Sequence, residues 1–274
     1  MTQTATEVIT DQDVRAILEE RTQEMYQFRQ AYRDHDATGV NSGKFTFPKA
    51  TDDLRDEVVE VVEDSDYPRT ELNYGGVDAS YSKDGVELAV SDEAVADSAI
   101  DIIADALQEM AVAMQKKNDM EAFTGLTNNV NTTIGTDGTD LDYPTVVEAY
   151  TTLVEAEYNP NEFLLLLSPD AWGDLSTDDR FVHATEAGDE TVRGAVMGSI
   201  YGMDAVLTNT GDLGDDEAFI VDTSKFGYES TRWNQEVTTY REDRKDRDVY
   251  KIRDRRAYAV MDDNANVFLQ GGGA

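Results

Sequence analysis

Two histidines, two knots of carboxylates, a spaced glycine triple and one dense run of arginines are the residues whose types could carry chemistry in this sequence. His35 lies between Asp34 and Asp36 on what reads as a surface turn, and His183 lies in a long polar stretch. Neither has the spacing of a catalytic triad or a metal-binding helix. There is no P-loop, no G-x-G-x-x-G after a strand, no G-x-S-x-G and no H-E-x-x-H, so the familiar enzyme motifs are absent. The absence of cysteine removes disulfides, thiolate nucleophiles and Cys-based zinc sites. Neither a catalytic residue nor a cofactor is expected.

The carboxylate knots are Asp137, Asp140 and Asp142, and Asp215, Asp216 and Glu217. Oxygen donors of this kind suit a hard cation, but Asp137-Gly-Thr-Asp-Leu-Asp lacks the spacing and the distal bidentate Glu of an EF-hand loop. Among 57 acids such knots arise by chance, so a solvated acidic surface is the expectation and no metal site is assigned. Gly194, Gly198 and Gly202 have no Lys-Ser/Thr partner, and tight packing or turn geometry explains them better than phosphate binding. The arginine run is more informative, because Arg232, Arg241, Arg244, Lys245, Arg247, Lys251, Arg253, Arg255 and Arg256 place nine of the 23 cations within 25 residues. Interleaved Glu242, Asp243, Asp246, Asp248 and Asp254 argue against a DNA-binding patch, which needs an uncompensated basic face. Ion pairs between symmetry-related copies fit, as do cross-strand pairs within one subunit.

These residues sit in a chain of 274 with 57 Asp and Glu against 23 Lys and Arg, a net charge of -34. Asp outnumbers Glu by 35 to 22 and only eight of the cations are Lys. Such a surface repels itself until salt shortens the Debye length to about 3 Å at 1 M, so the composition points to brine. A hydrophobic content of 40% is enough to bury a core, which separates the chain from disordered acidic tails. The longest apolar run, Phe163 to Leu167, is far short of the roughly 20 residues that span a bilayer. Met1-Thr-Gln-Thr offers no basic stretch before an apolar one, so neither a membrane span nor a Sec signal is expected.

The elements that must position these residues are an alternation of helix and strand. Asp11 to Tyr32 carries apolar positions at helical spacing and predicts an amphipathic helix or arm. Phe45 to Pro48 and Glu57 to Glu63 read as strands, Asn73-Tyr-Gly-Gly as a turn, and Val77 to Ser82 with Val86 to Val90 as a hairpin around Lys83-Asp84-Gly85. From Ser91 an apolar stripe through Met114 predicts a helix of about 25 residues ending near Lys116 and Lys117. Gly125 to Asp142 reads as a loop, Pro144 opens a helix, Phe163 to Leu167 is a strand buried on both faces, and Pro169 opens a short helix. Thr177 to Gly194 is a polar loop, Ala205 to Leu207 and Ala218 to Val221 are strands, and Arg232 to Met261 forms two long strands around the turn at 241–247. Val267 to Leu269 adds a last edge strand.

The order of these elements resembles the HK97-fold major capsid proteins of tailed double-stranded DNA viruses, here of a haloarchaeal kind. The resemblance rests on Tyr81-Ser-Lys-Asp-Gly-Val-Glu-Leu-Ala-Val-Ser-Asp-Glu-Ala leading into the long helix, on Phe163-Leu-Leu-Leu-Leu-Ser-Pro-Asp-Ala-Trp172, on Gly198-Ser-Ile-Tyr-Gly202-Met-Asp-Ala-Val206, and on the closing strand pair. It covers nearly the whole chain and lies in order and spacing more than in any single motif. It implies an α+β fold: an N-terminal arm (1–40), an extended β-hairpin loop with flanking strands (41–90), a spine helix (91–124), an axial α/β domain (125–231) and peripheral-domain strands (232–274).

The implied function is self-assembly of hexamers and pentamers into an icosahedral shell around double-stranded DNA, in the host cytoplasm, with no membrane partner and with portal, scaffold and decoration proteins as further partners. Inter-subunit contacts are then expected at Arg241, Arg244, Lys245 and Arg247 in the charged turn, at Tyr67 and Tyr74 in the extended loop, and at Phe28 and Tyr32 in the arm. An arm that starts at Met1 implies a separate scaffold or none. With Lys83 the nearest lysine to the extended loop, no covalent Lys-Asn crosslink between subunits is expected. An encapsulin-like compartment shell shares the fold, and a halophilic extracellular binding protein or hydrolase is the reading from a different class.

Overall fold

The computed structural model of the chain describes residues 27–39, 42–51, 58–61, 63, 66–67, 69–97, 102–136, 140–177, 199–208 and 213–271. Its strands are β1 (Tyr32–Asp36), β2 (Lys44–Ala50), β3 (Tyr74–Ser80), β4 (Ser82–Ser91), β5 (Thr132–Gly135), β6 (Phe163–Leu167), β7 (Ser199–Ile200), β8 (Met203–Leu207), β9 (Glu217–Asp222), β10 (Gly227–Glu242), β11 (Arg247–Val260) and β12 (Asn266–Gln270). Its α-helices are α1 (Asp92–Asp97), α2 (Ile102–Asn128), α3 (Tyr143–Glu155) and α4 (Pro169–Thr177). The strands form a four-stranded sheet in the order β1-β10-β11-β4, a six-stranded sheet in the order β5-β12-β9-β6-β8-β7, and the separate pair β2-β3.

The continuous apolar run of β6 is explained by its place in the middle of the six-stranded sheet, between β8 and β9. Phe163, Leu165 and Leu167 pack with Val146, Ala149 and Leu153 of α3 and with Ala171 and Leu175 of α4. Leu164 and Leu166 point the other way, into a second core with Phe28, Ala31, Ala122 and Leu126. Both faces are covered, so alternation disappears. Asp142 caps α3, its Oδ1 accepting the Thr145 N–H at 3.0 Å, with Pro144 in the first turn.

At 27 residues, about 40 Å at 1.5 Å per residue, α2 joins the two larger sheets. Its first half lays Leu107, Met110, Ala111 and Met114 on Val86, Leu88 and Val90 of β4 and on Val237, Tyr250 and Ile252 of the long strands. Its second half delivers Ala122 and Leu126 to the core under β6. The helix runs past Lys116 and Lys117 to Asn128, beyond the expected end, because nothing before Gly125 interrupts it and Gly125 itself is helical. A Cβ there would lie 2.2 Å from the Tyr32 hydroxyl, which donates to the Ala122 carbonyl at 3.0 Å, so this glycine serves close approach and not chain termination.

Several local expectations are corrected. Lys83-Asp84-Gly85 is no turn, since β4 runs straight through it and pairs with β11, while β3 pairs with β2. Gly85 is there because a Cβ would meet the Ile252 carbonyl at 3.0 Å. The Asn73-Tyr-Gly-Gly turn is instead the start of β3, where a Cβ on Gly76 would stand 2.5 Å from a Thr46 methyl. The described residues between 57 and 63 form no strand. Within the expected loop 125–142 lies β5, which covers β12 and makes that strand interior instead of an edge. The segment expected as an amphipathic helix or arm from Asp11 to Tyr32 closes as a short 3-10 turn at Phe28–Ala31 and then β1; the residues before 27 and residues 178–198, with His183 and most of the expected polar loop, lie outside the described residues.

Candidate assembly surfaces

The turn joining β10 to β11 has its strands in direct register, Arg241 opposite Asp248 and Glu242 opposite Arg247. Arg241 grips Asp92 at the start of α1 through two bonds of 2.6 and 2.9 Å and also reaches Asp248 at 3.2 Å. Arg247 holds Glu242 at 2.6 Å, and Lys245 lies 3.5 Å from the same carboxylate. The Asp92 N–H donates to the Asp246 carbonyl at 3.0 Å, so the turn is docked on its own helix start. Hydrogen bonding from Arg241 and from Arg247 holds the Asp92 and Glu242 carboxyls below their usual range. Pairing within the subunit therefore accounts for three of the four cations, Arg241 and Arg247 across the strands and Lys245 within the turn. Arg244 is exposed and, among the described residues, has no ion-pair partner.

The loop between β2 and β3 presents Val58, Val59, Tyr67 and Tyr74 to solvent, Val58 at 85% and Tyr67 at 84% exposure. These apolar side chains stand beside the exposed acids Glu60, Glu63, Asp66 and Glu71. Phe28 and Tyr32 are placed differently from their expected contact role. Phe28 is fully buried against Phe123, and Tyr32 sits between Phe226 and Tyr258, so both rings face the subunit's own core.

What secures that segment is a buried ionic network with no clear sequence signal. Arg29 donates to both oxygens of Glu229 at 2.5 and 2.8 Å. Arg256, 4% exposed, bonds to Glu229, to Asp254 at 2.7 Å and to Asn234 at 2.7 Å. Asn118 of α2 donates to Asp254 at 3.1 Å, and the neighbouring Asp119 accepts the Phe28 N–H at 2.9 Å. Burial works against the Arg256 charge, yet Asp254 and Glu229 together hold its pKa above the ordinary value. The alternation of apolar and charged residues in β11 hid this, because Asp254 and Arg256 face inward in register with Ile252. His35 is likewise no surface turn: it lies in β1, its Nδ1 2.9 Å from Ser230 Oγ, packed between Phe45 and Phe47.

The two carboxylate knots are reorganised in space. Asp140 from the first and Asp216 from the second meet Asp174 of α4, with one oxygen of each within 4.8 Å of the others. Burial, then a hydrogen bond to Asp216 and its charge, push the Asp174 carboxyl up to about 6. The group thus retains a proton where isolated aspartates do not, and its oxygens are the donor type that suits a hard cation. Asp142 and Glu217 are engaged elsewhere, Asp142 as the cap of α3 and Glu217 on the Gly214 N–H at 2.7 Å.

No described helix is long and apolar enough to cross a membrane. The sequence matches the family model described as phage capsid protein over residues 79–266, more than half of the chain. The chain belongs to this family. Its architecture is the HK97-like capsid fold, and the role of this capsid protein is structural rather than catalytic. It is similar to a chain of Mycobacterium phage Che8, with a TM-score of 0.71 and 14% identity over 89% of this chain and 90% of that one. A chain of the capsid of the cyanophage P-SCSP1u gives a TM-score of 0.69 at 9% identity, covering 100% of this chain and 93% of that one. A virus-like particle from Pyrococcus furiosus gives 0.59 at 12% identity, over 94% and 98%. No match was found among curated proteins.

Proposed function

We propose that this capsid protein is the major shell subunit of a tailed double-stranded DNA virus working in concentrated salt, with a haloarchaeal host. Copies associate as hexamers and pentamers of an icosahedral shell, assembled in the host cytoplasm around nonspecifically packaged DNA, with portal, scaffold and decoration proteins as further partners. The observation that carries this reading is the family match over residues 79–266 joined to a net charge of -34. In this reading 1–40 is the arm, 41–90 the extended loop with its flanking strands, 91–124 the spine, 125–231 the axial domain and 232–274 the closing peripheral strands. The exposed residues Tyr67, Tyr74 and Arg244 are the contacts that reach neighbouring copies. Arg241, Lys245 and Arg247 support that contact by fixing the turn.

The salt requirement follows from like charge. Subunits of this net charge repel one another and repel DNA, and screening to a Debye length of about 3 Å at 1 M salt removes both effects. The test is electron microscopy of purified particles in molar salt and after dilution. Closed shells that protect nucleic acid from nuclease in high salt and come apart on dilution are expected. Particles equally stable after desalting would refute the salt adaptation, and particles holding a protein cargo instead of nucleic acid would favour a compartment shell.

A further inference from the structure

Arg33 of β1 stands directly opposite Tyr228 of β10, and strand alternation turns both side chains away from α2, to which Tyr32 is tied. There the Arg33 guanidinium lies 4.1 Å from the centre of the Tyr228 ring, and Phe47 of β2 stacks on the same ring at 4.7 Å with the planes 2° apart. The stack forms one wall of a cavity of about 670 Å³, a size that takes a small ligand. Lys49, two residues beyond Phe47, and Lys225, in the turn between β9 and β10, line the same cavity, so three cations converge from three separate stretches of chain. Among the described residues none of the three has an ion-pair partner, and the Arg33 Nε is buried without a hydrogen-bond partner. The acids on the wall are Glu157 and Asp262, and each oxygen of Asp262 already accepts a hydrogen bond, from the Tyr158 hydroxyl at 2.9 Å and the Asn264 N–H at 3.2 Å. In a chain of net charge -34, such a cavity is a local reversal of sign.

We propose that this cavity binds an inorganic tetrahedral oxyanion, phosphate or sulfate, held by Arg33, Lys49 and Lys225. A buried donor without an acceptor is costly, and a charged acceptor is the strongest kind that can meet it. A tetrahedral oxyanion presents several acceptor oxygens and so serves the planar fork of Arg33 and two ammonium groups at once, whereas the chloride of a brine presents a single centre. Molar salt screens the exposed Lys49 and Lys225 but acts much less on a buried hydrogen bond, which places the main grip at Arg33. The bound anion bridges β1, the end of β2 and the turn before β10, and so fixes the root of the segment that leaves β2 to the body of its own subunit. The site lies within a single chain and therefore stands whether or not copies form shells.

The test is equilibrium dialysis of the intact protein in molar sodium chloride against radiolabelled phosphate and, separately, radiolabelled sulfate. Saturable binding of a single anion per chain is expected for each, with the two competing. K49Q/K225Q, altered at two exposed side chains, should keep the parent's circular dichroism spectrum and bind about tenfold more weakly. R33K, which keeps the charge but loses the planar fork, should also bind more weakly. In hydrogen exchange, phosphate should slow the amides from Lys49 to Thr51 in the parent and not in K49Q/K225Q, a comparison that removes the general stabilisation these anions give to any protein. Uptake that never saturates, or equal uptake by parent and K49Q/K225Q, would overturn the proposal. Displacement of the anion by a short DNA duplex at lower concentration than unlabelled phosphate would overturn it too, by giving the cavity to nucleic acid.

Discussion

Replacing Arg256 with Met tests how the long strands are held to α2 and to the segment before β1. The guanidinium contacts Glu229, Asp254 and Asn234 in a site where Glu229 and Asp254 are each 1% exposed. Removing it leaves Glu229 with Arg29 and, among the described residues, leaves Asp254 with the Asn118 amide at 3.1 Å. Breaking a buried pair from one side costs about 3 to 5 kcal/mol because a charge is left uncompensated. Against a typical total of roughly 5 to 15 kcal/mol that is a large fraction, and it corresponds to a fall in Tm of roughly 6 to 20 °C. Urea unfolding of dissociated subunits, followed by circular dichroism at two salt concentrations, measures it. The loss should be nearly the same at both, because salt does not enter the buried site. R256M/D254N should recover part of the loss, since the orphaned charge is gone. A cost under about 1 kcal/mol, or a double variant no better than the single one, would refute the reasoning.

Gly125→Ala should destabilise the subunit by about 1 to 3 kcal/mol despite the better helix propensity of alanine, and G125A/Y32F should recover part of that in the same unfolding assay. Asp174→Asn should raise Tm at pH 7. The folded carboxyl titrates at about 6, so between its ordinary range and that value the native state binds the extra proton and stability falls as pH rises. The variant should lose this slope, and a variant less stable than the parent at neutral pH would mean that the carboxylate has a ligand. Arg244→Glu should lower the yield of closed shells, counted by electron microscopy, without moving the unfolding midpoint, because no described group pairs with it.

How far the sequence could be read depended on whether a signal was local. The apolar run of β6, the proline that opens α3, and the charged turn between two long strands each carry their cause within a few residues, and all three stand in the structure. The glycines did not. Gly85 and Gly125 resemble punctuation, yet both lie inside regular elements, and their reason is a distant partner, the Ile252 carbonyl and the Tyr32 hydroxyl. Strand β5 was hidden for a similar cause, since four residues of Thr, Ile and Gly become a strand only beside β12. The grouping of Asp140, Asp174 and Asp216 joins three separate stretches of chain, so neither knot of the sequence contained it. Within the arginine run, spacing located the charge but not its partners. Arg241 and Arg247 turned out to be tied within the subunit, while Arg255 and Lys83 lie around Trp233 with no ion-pair partner among the described residues.

The central claim is that this 30.4 kDa chain assembles into closed shells. Light scattering with mass determination on the purified protein in molar salt tests it most directly. A monodisperse species of megadalton mass is the predicted result, and a discrete monomer at every salt concentration would contradict the account.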